Sequence, residues 1–237
     1  HMSTTEDLIG RADVNDIEAI EAIMAIAAED GEANIRAVKD HADAIFTWDY
    51  EKGRRPALRK LYEKAKVSMW NGETDLPWDT AVNPMDLVEL QRAQFGMTPE
   101  LRKENTRGTP FEKWSDAQFD ELALESNNWM LSQFMHGEQG ALICTAKIVE
   151  TVPWIDAKYY AATQVMDEAR HVEVFAKYLD TKLEGYYPIN THLGMLLDDI
   201  VADARWDMTY LGMQIMVEGL ALAAFGFMHM LTEEPLL

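Results

Sequence analysis

The sequence has a single cysteine, Cys144, in 237 residues, which excludes an intramolecular disulfide framework. A lone reduced thiol fits a cytoplasmic protein, and this is the localisation we expect. Basic residues are also scarce: 21 Lys and Arg face 41 Asp and Glu, so the formal net charge is −20. This charge repels phosphate backbones and anionic lipid surfaces. We therefore expect neither nucleic acid nor a membrane as a partner.

Alternating and β-branched runs are scarce too, while apolar residues recur at spacings of three and four, which predicts an almost wholly helical chain. Proline is missing from three long stretches, and each predicts one long helix: from Asp116 to Val152, from Trp154 to Leu183, and from Thr191 to just before Pro235. Ser115 and Gln118 match a capping box at the start of the first. Long helices joined by short connections predict an all-α, ferritin-like helical bundle.

The first 115 residues predict shorter helices, and we expect this region, 1–115, to pack on a bundle formed by 116–237. The expected helices run from Asn15 to Glu29, from Glu32 to Trp48, from Pro56 to Asn71 and from Met85 to Phe95. The stretches from Asn71 to Pro84 and from Gly96 to Trp114 have loop composition.

One apolar stretch, from Met208 to Leu231, is long enough to cross a membrane. It carries one formally charged residue, Glu218, near its middle, where an ionisable group is costly in lipid. We therefore interpret the stretch as a core helix of the bundle.

Each of the three long helices carries an acidic residue halfway along an apolar stripe. Glu138 lies on the first, Glu168 with His171 on the second, and Glu218 on the third. Buried unpaired carboxylates cost several kcal/mol each, so acids on facing stripes need a cation or basic partners. The nearest basic residue, Arg170, is expected to face away from the stripe, which favours a bound cation. Carboxylates with an imidazole suit iron or manganese.

The spacing of Glu168 and His171 places both side chains on one helical face, where they can bind one metal together. With Glu138 and Glu218, this Glu-x-x-His pair resembles the ferritin-like di-iron carboxylate superfamily. The DEARH sequence that ends at His171, and the Glu-Gly pair at Glu218, resemble most closely the branch that contains the small subunit of ribonucleotide reductase, ligand-binding oxidases and bacterial multicomponent monooxygenases. The resemblance extends from about Phe119 to Met230.

By this resemblance Glu138, Glu168, His171 and Glu218 are metal ligands, and Asp167 and Arg170 orient them by hydrogen bonding. The implied cofactor is a di-iron centre, with manganese possible. The implied function is an oxidoreductase, an oxidase or monooxygenase that activates molecular oxygen and oxidises a small apolar organic substrate, with a reductase as electron donor. A homodimer is possible.

Several alternatives remain open at this point. Glu168 and His171 would be solvated on an exposed helix face, and Glu138 and Glu218 would each be a buried acid bonded to a neighbouring helix. A ferritin-type iron-storage protein and a metal-free helical scaffold are the rival functions. His136 and His229 are expected to have structural roles, because neither belongs to the superfamily pattern.

Two further expectations concern the third long helix. Gly219 and Gly226 weaken it, and π-bulges often occur at functional sites, so we expect Glu218 to lie where the helix is irregular. The superfamily pattern also requires a fourth helix with a second Glu-x-x-His, some thirty residues after Glu218. The sequence given ends at Leu237. We therefore expect the natural chain to continue into that helix.

Overall fold

A computed structural model describes residues 55–183, 185–232, 234 and 236. It contains helices α1 to α8 and, between α7 and α8, a π-helical segment called here the π segment. Their bounds are α1 Pro56–Val67, α2 Pro84–Gln94, α3 Pro99–Asn105, α4 Asp116–Thr151, α5 Ile155–Lys182, α6 Thr191–Ala202, α7 Trp206–Thr209, the π segment Tyr210–Val217, and α8 Glu218–Leu231. The described part has no strand, so the predicted all-α bundle is confirmed. The helices predicted from Asn15 and from Glu32 lie outside the described residues.

The fold is organised around α4 and α5, of 36 and 28 residues, which form the most extensive helix pair. The predicted capping box starts α4: Ser115 accepts from the backbone of Gln118, and the Gln118 side chain accepts from the backbone N–H of Ser115. A three-residue break, Val152 to Trp154, turns the chain back, as Pro153 predicts. The pair therefore runs antiparallel, with its apolar stripes facing inward.

The shorter helices before α4 lie against this pair. Helix α1 packs on α5, where Tyr62 stacks on Tyr159 with ring centroids 5.2 Å apart, and α2 packs on α4. The loop between α1 and α2 is fixed internally, because Trp78 donates from Nε1 to the carbonyl of Gly72 at 2.7 Å. Gly72 itself lies so close to α5 that an added Cβ would meet Val174 at 2.7 Å. The division of the chain at residue 115 stays a prediction.

The expected single helix after Thr191 is wrong: the chain breaks between α6 and α7. Asp203 has extended backbone angles, and its carboxylate accepts from both the backbone and the guanidinium of Arg205. The hydroxyl of Thr209 then bonds to the carbonyl of Arg205 at 3.1 Å. These local polar bonds offer the backbone an alternative to continuing the helix.

The stretch from Gly96 to Trp114, expected to be irregular, contains α3. Thr98 caps this helix by accepting from the backbone N–H of Leu101, and Pro99 occupies its first turn. A capping Thr followed by Pro is itself a helix-start signal, because neither residue loses a helical hydrogen bond there.

The last helical stretch, Trp206–Met230, is long and apolar enough to cross a membrane by length and composition. Few of its side chains are buried: Leu220, Leu222 and Met230 are each more than 70% exposed. The interpretation as a core helix therefore applies to one face of α8, the face that carries Glu218.

Candidate metal centre

Three of the predicted ligands meet between α4 and α5. Glu138 and Glu168 are 6% and 5% exposed, and the Nδ1 atom of His171 lies 3.1 Å from an oxygen of each. One ligand atom from each residue lies within 4.8 Å of the others, so the three could hold a metal ion together. The solvated-face alternative for Glu168 is therefore excluded, because this carboxylate is buried.

Glu218 enters the same region from the opposite side, at the start of α8. Together with Glu138 it lines an apolar cavity of about 320 Å³ between α4, α6 and α8. Glu218 is not one of the three residues whose ligand atoms meet. It is nevertheless near enough for the charges of Glu138, Glu168 and His171 to act on its pKa.

The helix that carries Glu218 is irregular where the sequence predicted it. The backbone N–H of Glu218 closes a π-type bond to the carbonyl of Met213, five residues earlier. Gly212 lies in this segment and packs tightly on α6, since an added Cβ would meet Ile200 at 2.9 Å. The expectation of an irregular helix at Glu218 is confirmed.

Among the described residues, the cluster and its surroundings contain three acids, Glu138, Glu168 and Glu218, but only one base, His171. This imbalance contributes to the pKa shifts of three of these four groups. Hydrogen bonds to Glu138 and Glu168 raise the pKa of His171 to about 10, despite its partial burial. Burial raises the pKa of Glu168, and burial with the nearby charges of Glu168 and Glu138 raises that of Glu218 to about 7. A bound cation would relieve both the desolvation and the repulsion. The donor set thus fits a hard or borderline divalent metal.

Two different layers enclose the acidic cluster along the bundle axis. On one side lies an aromatic layer of Phe134, Phe175 and Phe225, whose ring centroids are 4.8 to 6.4 Å apart. On the other side lies a polar layer: Gln164 donates to Gln214 at 2.9 Å, and Gln214 donates to Thr145 at 3.3 Å. Helices α4 and α5 each contribute one residue to each layer. The third residue of the aromatic layer comes from α8, and that of the polar layer comes from the π segment. The cluster is therefore closed by apolar rings at one end and by amides at the other.

The predicted ligand-orienting pair, Asp167 and Arg170, lies on another face of α5. Arg170 is buried, bonds to Asp167, donates to the carbonyl of Trp70 at 2.9 Å and stacks on the Trp70 ring. In the described part of the chain, no hydrogen bond joins this pair to the four predicted ligands. The expectation that Arg170 faces away from the stripe is confirmed, and its role in orienting the ligands stays a prediction.

His136 is one of the two other described histidines near the cluster in sequence; the second, His229, is exposed in the last turn of α8. The ring nitrogens of His136 bond to Gln139 at 2.9 Å and to the carbonyl of Tyr187 at 2.9 Å. The contact with Tyr187 joins the connection after α5 to α4, and the contact with Gln139 lies within α4. Both agree with the structural role expected for this residue.

Sequence reasoning did not single out the polar layer as a unit. Gln164 and Gln214 were visible within the predicted stripes, each four residues before an acid, and Thr145 lies seven residues after Glu138. The positions of these amides relative to the acids were the feature of the sequence from which the layer could have been predicted. Comparisons with protein-family models, with curated proteins and with solved structures gave no match.

Proposed function

We propose that the protein is an oxygen-activating oxidoreductase that holds iron, as a di-iron or mixed iron and manganese centre, between α4, α5 and α8. The observation that carries this proposal is the meeting of Glu138, Glu168 and His171 in the middle of an apolar bundle. Buried carboxylates without a cation are costly, so two of them beside one imidazole, with Glu218 nearby, favour a metal function.

Each residue has a distinct part in the proposal. Glu138 and Glu168 supply buried anionic oxygens, His171 a neutral imidazole once its proton leaves, and Glu218 a further carboxylate from the start of α8. Iron, when bound there, supplies the ability to react with molecular oxygen.

The cavity beside Glu138 and Glu218 supports a small apolar organic substrate. Apart from these two acids, its lining is largely apolar and includes Phe134, Leu193 and Ala221. A site of this kind binds its ligand by burying apolar surface, and its few polar groups determine the orientation of the ligand. The electron donor is proposed to be a separate reductase.

Metal content and oxygen uptake of the 237-residue protein test this proposal. Protein loaded with Fe(II) without oxygen and then desalted is expected to retain iron and to consume oxygen on exposure to air. His171→Ala is expected to lose most of that iron while its helicity by circular dichroism stays nearly constant, because alanine favours helix.

His136→Ala is the matched control, since it removes a histidine from the same bundle whose bonds lead away from the cluster. It is expected to retain iron like the wild type. Equal iron in the wild type and His171→Ala would contradict the assignment of His171. Two measurements separate the rival functions. A large oligomer in size-exclusion chromatography would indicate iron storage, and a protein that retains no iron after loading would indicate a scaffold.

A further inference from the structure

The polar layer beside the acidic cluster joins three helical elements through one residue, Gln214. Its carbonyl oxygen accepts from Gln164 of α5, and its amide nitrogen donates to Thr145 of α4. Thr145 is fully buried, and the two glutamines are half-buried. A side chain that both accepts and donates is required at this position, and the primary amide of glutamine does both.

Gln214 also lies inside the π segment, one turn before Glu218. The π helix is a rare conformation that occurs mostly in short stretches, so its persistence over eight residues needs support from its surroundings. Two hydrogen bonds from the middle of the segment to α4 and α5 supply such support. They fix both the rotation and the height of the backbone that ends at Glu218.

This support acts against a force from the cluster itself. Glu218 is held near two other buried carboxylates, Glu138 and Glu168, whose charges repel it. Glycine follows at 219, and the neighbouring residue Leu220 is 73% exposed, so little packing on that side opposes an outward movement of α8. The aromatic layer at the other end is non-directional and does not define a helix rotation as hydrogen bonds do.

We propose that Gln214 is a positioning residue that pins the π segment to α4 and α5 and thereby keeps Glu218 in reach of a metal held by Glu138, Glu168 and His171. This inference rests on the proposed metal centre. In this proposal the polar layer fixes the position of Glu218, the fourth predicted ligand. Thr145 and Gln164 are the two residues to which Gln214 is bonded.

Titration with Co(II), followed by its visible absorption, tests the inference without any catalytic turnover. Gln214→Met keeps the length of the side chain and removes both hydrogen bonds. We expect its apparent Co(II) affinity to fall by about tenfold or more, with an altered absorption spectrum, as is typical when a partner outside the metal's own ligands is lost. Thr145→Val and Gln164→Met each remove one bond, and we expect smaller losses of the same kind.

Phe225→Leu is the matched control, because it loosens α8 from the opposite layer without touching the polar one. It is expected to lower thermal stability and to leave the Co(II) affinity and spectrum close to the wild type. If loosening alone weakens binding, Phe225→Leu will lose as much affinity as Gln214→Met, and the positioning role is then overturned.

The two proposals fail in different ways. A wild-type protein that binds no Co(II) overturns the metal centre and this inference together. Wild-type protein that binds Co(II), with unchanged affinity and spectrum in Gln214→Met, overturns the positioning role alone. If Gln214→Met does not fold, the same comparison with Thr145→Val and Gln164→Met decides, since unchanged binding in both would overturn the role.

Discussion

The Nδ1 atom of His171 lies 3.1 Å from Oε2 of Glu138, a residue 33 positions earlier and on a different helix. Because an ionised carboxylate only accepts hydrogen bonds, the proton of this contact belongs to His171. A metal ion and that proton therefore compete for the same nitrogen. The metal-free cluster is held together by the proton that metal binding must remove.

This competition predicts that metal affinity rises with pH. The pKa of His171 is raised to about 10, so its ring carries a proton throughout the neutral range and loses it on binding. We expect the apparent Co(II) affinity to rise by about tenfold per pH unit between pH 7 and 9, as one released proton requires. Titrations in non-coordinating buffers measure this slope. An affinity independent of pH would show that His171 keeps its proton and is not a ligand.

The metal-free protein is expected to become less stable as the pH rises from 5 to 8. Burial and neighbouring charges raise the pKa of Glu218 to about 7, above its unfolded value, so the folded state binds this proton more tightly. Stability is then lost as the carboxyl ionises between these two pKa values. The raised pKa of His171 acts in the same direction at higher pH.

Thermal unfolding across this pH range, with a chelator present, measures the effect. Glu218→Gln keeps the shape of the side chain and removes its titration, so its melting temperature is expected to fall less steeply with pH than that of the wild type. Parallel curves for the two proteins would contradict the raised pKa of Glu218.

Two glycines of α4 are expected to respond in opposite ways to alanine. A Cβ at Gly140 would meet Leu197 of α6 at 2.7 Å, whereas a Cβ at Gly137 meets nothing within 4 Å. Gly137→Ala should stabilise the protein by up to about 1 kcal/mol through helix propensity. Gly140→Ala should lose this gain, because the buried side chain of Leu197 must move. Chemical denaturation compares the two, and equal free energies of unfolding would show that α6 does not pack closely here.

Arg170 is expected to affect stability far more than metal binding. Its guanidinium is buried on the Trp70 ring and donates to the carbonyl of that residue. Arg170→Met should cost about 2 kcal/mol or more, because it leaves the carbonyl unpaired and loosens the loop before α2. Metal affinity should stay within a few fold of the wild type. A loss of affinity as large as that of His171→Ala would instead support the role in orienting ligands implied by the family resemblance.

Two of the three long helices, and the meeting of three predicted ligands, were predictable because they depend on local sequence. The helical stripes and the capping box at Ser115 fix where α4 begins and which face is buried, and these place Glu138 opposite Glu168 and His171. The irregular helix at Glu218 was predicted from Gly219 and Gly226, but both lie in the regular helix α8, whereas the π segment precedes Glu218 and contains Gly212.

The break between α6 and α7 was not predictable from glycine or proline, because neither occurs there. It depends on the bonds of Asp203 with Arg205, two residues apart, and side chains at this spacing do not face each other in a helix. The contact between Gln164 and Gln214, 50 residues apart, likewise depends on how the helices pack. Each of the two glutamines lies four residues before an acid, which places both at the same height along the bundle. This spacing does not show which residues they bond to.

The exposed face of α8, which includes Leu220, Leu222 and Met230, also affects how the molecules behave in concentrated solution. Each molecule carries a formal charge of −20, so long-range repulsion opposes the short-range attraction between these apolar faces. The Debye length falls from about 30 Å at 0.01 M salt to about 3 Å at 1 M, while burial of apolar surface does not weaken. Added salt is therefore expected to promote self-association and to lower solubility, so this protein is best kept dispersed in dilute buffer.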